Sequence, residues 1–247
     1  AYSSVSQMGV VAAVLGMGLA AGDATAGMAA AFYASHHVLV KGALFLSVGV
    51  IAASGSGRRT AVLVPAMLLC LGLGGLPFTG GAIAKYAVKD QLDVGVVGWL
   101  AAVSAVGTTL LMLHFLVRLA RSGAEDPRAT AAAGLTLPWL AMAVAALVLP
   151  WLLYPATGLG STAAAIEPKA LWASLWPVAI GAGLALTLRW WADRLPRILE
   201  GDIAEAYLQG DIDIEGDMLK PFALRASLDD RHPLVAAWRF IEPMLFG

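Results

Sequence analysis

Two lysines and a pair of histidines interrupt stretches of this sequence that are otherwise apolar. Tyr33, His37 and Lys41 recur at i, i+4 and i+8 within FYASHHVLVKGALFLSVG, a spacing that stacks them on one face of a helix. Lys85 closes GLPFTGGAIAK. Imidazole exchanges protons near neutral pH, and a low-dielectric setting disfavours the charged form of an amine. The chemistry these residues offer is therefore proton exchange. His36 points about 100° away from the Tyr33 row and fits a helix-contact histidine as readily as a functional one. His114, in LLMLHFLVRLAR with Arg118 one turn later, is a weaker candidate of the same kind.

These residues need elements to hold them. Of the 247 residues, 59% are hydrophobic and 13% charged, against about 25% charged in a soluble domain. Mean hydropathy is +0.76. Runs of about 18 apolar residues or more mark membrane-spanning helices, and no period-2 alternation suggests strands. The expected fold class is an all-α polytopic membrane protein with six passes, at about 5–21, 26–53, 61–92, 95–120, 136–154 and 170–191. The third contains Gly74, Gly75, Pro77, Gly80 and Gly81, which predicts a helix broken around 75–80 and resuming through Lys85. Such a break is tolerated in a membrane only under cover of protein or beside a water-filled cavity.

Charge supports the count. Loops after passes two, four and six carry Arg58 and Arg59, Arg121 and Arg128, and Arg194 and Arg197. Loops after passes one, three and five carry Asp23, Asp93, and Glu167 with Lys169. Positive charge marks the cytoplasmic side, so the broken helix counts as one pass and the sixth ends inside. Lys41 then lies about 20 Å from the end of its helix near residue 54, beyond the reach of a snorkelling lysine. An unpaired lysine at that depth costs about 2.5–3.5 kcal/mol. Lys85 is deeper than Lys89 and Asp90, which are expected at the interface.

Residues 1–195 form the expected membrane domain. Residues 196–247 are an expected cytoplasmic tail, with seven acids between Glu200 and Asp217. Its last stretch, HPLVAAWRFIEPMLF, spaces Leu234, Val235, Trp238 and Ile241 as an amphipathic helix would. DIDIEGD is a poor calcium loop because Phe222 stands where a glutamate is needed. The opening AYSSVSQMGV has neither an initiator methionine nor a signal-peptide pattern, so further sequence is expected upstream.

AYSSVSQMG, HHVLVKGALFLSVG and GLPFTGGAIAKY, in that order and spacing, resemble the proton-translocating antiporter-like subunits of NADH:quinone oxidoreductase, membrane-bound hydrogenases and Mrp-type sodium/proton antiporters. The resemblance covers about residues 1–191 and implies two inverted five-helix repeats joined by a charged row at mid-membrane, this chain supplying the end of the second. It implies that Lys41 is the lysine of the unbroken helix, His37 the histidine one turn before it, and Lys85 the lysine of the broken helix. Tyr33 departs from relatives that have a second histidine there. The glutamate–lysine pair of the first repeat is absent from these residues. Implied partners are other membrane subunits of a bacterial or archaeal inner-membrane complex, the lipid bilayer, and redox or quinone-binding subunits elsewhere; the ion is H⁺, alone or exchanged with Na⁺.

No GxGxxG fingerprint is present, and Cys70 is the single cysteine, so no dinucleotide site or cysteine-ligated cluster is expected within the chain. The expected cofactor and metal sets are empty, and a net charge of −1 gives no reason to expect nucleic acid. A haem-binding cytochrome would need paired histidines at one depth, whereas His37 and His114 are expected more than about 10 Å apart along the membrane normal. The remaining alternative is a non-transporting scaffold that recruits a soluble partner through its acidic tail.

Overall fold

A computed structural model describes residues 2–92, 95–124 and 126–208, with side chains described from Ser4 to Trp190 within those bounds. Helices α1 (Tyr2–Ala21), α2 (Ala26–Ala52), α3 (Ser56–Gly74), α4 (Gly80–Ala87) and α5 (Lys89–Leu92) come first. After them come α6 (Gly95–Arg121), α7 (Ala133–Leu153), a 3₁₀ turn (Tyr154–Thr157), α8 (Thr162–Ala165) and α9 (Pro168–Leu208). No strand occurs among the described residues. Six helices are long and apolar enough to cross a membrane: Ser4–Ala21, Ala26–Ala52, Ser56–Gly74, Gly95–Arg121, Ala133–Thr157 and Pro168–Trp190. The protein is an all-α polytopic membrane protein, and its third span is broken as the glycines and proline predict.

The third span starts earlier than expected. Arg58 and Arg59 lie in the first turn of α3 rather than in a loop. Arg59 reaches across to the Ala120 carbonyl at the end of α6, at 3.4 Å. A cation is well placed there, where unpaired carbonyls gather.

Loop hydrogen bonds verify the pass count independently of charge. Gly55 N donates to Ala129 O at 2.9 Å, and Ala124 N to Ser54 O at 3.1 Å, so the α2–α3 and α6–α7 connections share one end of the bundle. At the other end Gln91 Nε2 donates to Asp23 Oδ2 at 2.8 Å, joining the α1–α2 turn to α5. The broken helix is one crossing in two pieces. The tail side, the calcium-loop stretch and the amphipathic stretch concern residues whose structure lies outside this description, apart from the helical backbone through Leu208.

The helices pack through small residues. A Cβ at Gly42 would strike the Met142 side chain, and one at Gly49 would touch Leu135, so α2 lies close against α7. The larger core gathers Val40, Leu44, Ile51, Leu69, Met112 and Trp139 from α2, α3, α6 and α7. A second core, with Val14, Ala30, Tyr33, Ala84, Val88 and Leu92, joins α1 and α2 to the resumed helix. The apolar side chains left outward, among them Leu19, Phe45, Trp99, Leu152 and Trp172, suit a lipid environment.

Candidate functional site

The break is built by local sequence. α3 ends because Gly75 adopts φ +103°, with Gly75 N donating to Gly72 O at 2.8 Å and Leu76 N to Leu71 O at 3.0 Å. This is the glycine-terminated helix end that satisfies orphan carbonyls. Pro77 cannot continue the helix. Phe78 is held at φ +64°, a conformation that costs a non-glycine residue about 1–3 kcal/mol. Thr79 folds its hydroxyl back onto Leu76 O at 2.6 Å, and α4 resumes at Gly80.

Both glycines of the restart are forced by contact. A Cβ at Gly81 would overlap the Gly72 carbonyl, and one at Gly80 would overlap the Ala146 carbonyl of α7 and crowd Pro150 and His36 Nε2. α7 thus supplies the protein cover that a broken span requires.

Lys85, on α4, turns back to the end of α3. Its Nζ donates to Gly74 O at 2.5 Å, and its aliphatic stem lies over Gly75. The amine therefore caps the carbonyl end of α3, a hydrogen bond worth about 0.5–1.5 kcal/mol. Break and lysine are one device: the interruption frees the acceptor that the amine takes.

Two cavities meet at this amine. The small one, about 10 Å³, is lined by Tyr33, His36, His37, Leu73, Gly81 and Lys85, room for about one water. His37 lines it, and both of its ring nitrogens are buried without a hydrogen-bond partner, although buried polar atoms are nearly always paired. The larger cavity, about 250 Å³, is bounded by Gln7, Tyr33, Lys85, Lys89, Ser104 and Ser174 among mostly apolar residues. Tyr33 and Lys85 line both.

The structure joins the candidate residues in an order that spacing alone hides. His36 is within electrostatic reach of both His37 and Lys85, His37 of Lys41, and Lys41 of Cys70 on α3. Lys85, His36 and His37 share the small cavity, and Lys41 follows His37 one turn along α2. His36, outside the Tyr33 row on the helix wheel, joins this group because α4 packs on its side of α2. Lys41 is half-buried. His114 lies elsewhere, partly buried near Arg118 and Arg121 at the arginine end of α6.

Gln7 belongs to the site and was not singled out from sequence. It is 3% exposed, accepts from the Tyr33 hydroxyl and donates to Thr108 Oγ1 at 3.0 Å. A lone amide inside an apolar span was the signal available. Among the described residues no group of three or more histidine, cysteine or acidic side chains could hold a metal.

Fold and site define a class: a polytopic helical membrane protein with amines and imidazoles gathered where one span is interrupted. Comparison with protein-family models, curated proteins and solved structures finds no match for this chain.

Proposed function

We propose that the chain moves protons across a membrane along Lys85, His36, His37 and Lys41, with water completing the path, as a subunit of an assembly similar to the NADH:quinone oxidoreductase or Mrp-type antiporter complexes. One observation carries this reading. An amine bonded to the end of an interrupted membrane helix shares a cavity of about one water with two imidazoles, one of which has both nitrogens unpartnered. An idle ionisable cluster at this depth is costly, whereas groups that exchange protons across hydrogen-bonding distance have a use for it.

In this reading a charge change arriving from a neighbouring repeat or subunit alters how tightly Lys41 and Lys85 hold their protons, driving uptake and release. Electron transfer, where coupled, belongs to partner subunits. The arginine end of the bundle, with the segment after α9, faces the cytoplasm by the positive-inside rule. The test is Lys41→Ala in the assembled complex, reconstituted in vesicles containing a pH-sensitive dye. Coupled proton movement should be lost while the complex still assembles; normal pumping by that variant defeats the proposal.

A further inference from the structure

The hydroxyl of Thr108 has a single proton, and it is donated to the Ser104 carbonyl at 2.8 Å. Thr108 can therefore meet Gln7 only as an acceptor, as the 3.0 Å bond from Gln7 Nε2 requires. That orientation turns Gln7 Oε1 toward α2, where it accepts from the Tyr33 hydroxyl. Tyr33 also has one hydroxyl proton, so none remains for the cavity it shares with His36, His37 and Lys85. Gln7, Tyr33 and Thr108 are 3%, 6% and 5% exposed, which keeps bulk water from competing for these bonds. The chain of bonds ends on a main-chain carbonyl, a group that does not take up and pass on protons near neutral pH.

We propose that Gln7 is a positioning residue that holds the Tyr33 proton away from the histidines. Tyr33 then presents only an acceptor to the small cavity, and the Lys85 amine is left as the group that carries protons between the two cavities. The choice matters because Tyr33 and Lys85 are the residues common to both linings. The routing rests on the transport reading above; the orientation of the tyrosine does not.

The experiment uses the full chain in its assembled complex in vesicles, with proton flux and infrared spectra of labelled tyrosine measured on the same samples. The Tyr33 C–O band is assigned by its disappearance in Tyr33→Phe. It should report a donating hydroxyl, shift in Gln7→Leu, and stay in place in Thr108→Ser, which keeps the acceptor. Should Gln7→Leu fail to assemble, Thr108→Val should produce the shift. Tyr33→Phe should keep flux within about twofold, against a loss of about 50-fold or more in Lys85→Met, differences of ~0.4 and ~2.3 kcal/mol in barrier. Gln7→Leu should raise passive proton leak several-fold, and adding Tyr33→Phe should abolish that leak. An unmoved band in both Gln7→Leu and Thr108→Val overturns the assignment of Gln7, as does a Tyr33→Phe flux as low as that of Lys85→Met. A shifted band in a complex whose Lys41→Ala variant pumps normally overturns the routing and the transport reading, while the tyrosine orientation stands.

Discussion

The second span and the resumed half of the broken third each hold a lysine, yet they hold it differently. α2 runs uninterrupted from Ala26 to Ala52, and Lys41 has His37 and Cys70 within electrostatic reach. The third span stops at Gly74 and restarts at Gly80, and Lys85 faces a main-chain carbonyl. A carbonyl at a helix end carries a fixed partial charge that no pH change removes. The neighbours of Lys41 include groups that gain or lose protons. Both lysines have a titratable neighbour, His36 for Lys85 and His37 for Lys41; what the broken helix adds for Lys85 is the role of a fixed anchor.

Removing the two amines should separate these roles. On the proposed function Lys85→Ala should abolish proton movement, and it should also destabilise the fold by about 1–3 kcal/mol, because the Gly74 carbonyl loses its partner. Lys41→Ala should abolish movement equally but change stability less, since Lys41 is half-buried. Thermal unfolding in detergent measures the difference, and equal melting temperatures would break the comparison. Gly80→Val should lower stability by about 1–3 kcal/mol through overpacking against α7, with a smaller effect on a matched glycine of α2 such as Gly27, where an added Cβ meets nothing within 4 Å. Gly75→Ala should cost about 1 kcal/mol, the strain of a side chain at φ +103°, and loosen Lys85 along with the helix end.

The smallest effect concerns the latch between α5 and the α1–α2 turn. The Asp23 carboxylate is held below the usual carboxylate range, first by the Gln91 side chain and then by Thr25. Folding lowers this group, so its stabilising contribution is present above the unfolded value of about 3.9 and disappears as pH falls through the folded one. The melting difference between the protein and Asp23→Asn should be measurable at pH 7 and shrink steadily as pH falls below about 3.9.

Much of this is legible in the sequence. The six spans follow from apolar run length, and the break from Gly74, Gly75, Pro77, Gly80 and Gly81 lying together. Arginine alternation gave the parity that the Gly55–Ala129 and Gln91–Asp23 bonds independently support. Three features were not legible. The start of α3 was obscured because Arg58 and Arg59 read as loop charge, although a helix end near a surface accommodates them. The role of His36 stays open in the sequence because a helix wheel knows only angles, not which neighbour fills each angle; α4 and α7 meet α2 on that side. Gln7 lay inside AYSSVSQMG, but its role depends on Thr108, a residue 101 positions away.

The close seat of Gly80 against the Ala146 carbonyl has a consequence for biogenesis. α7 leaves the ribosome only after α4, α5 and α6 have been made, some seconds later at about 5–20 residues per second. Throughout that interval the interrupted segment and its amine have no lid from α7. A nascent chain arrested before residue 133 should therefore be the species most dependent on an insertase or chaperone, and the one most open to membrane proteases.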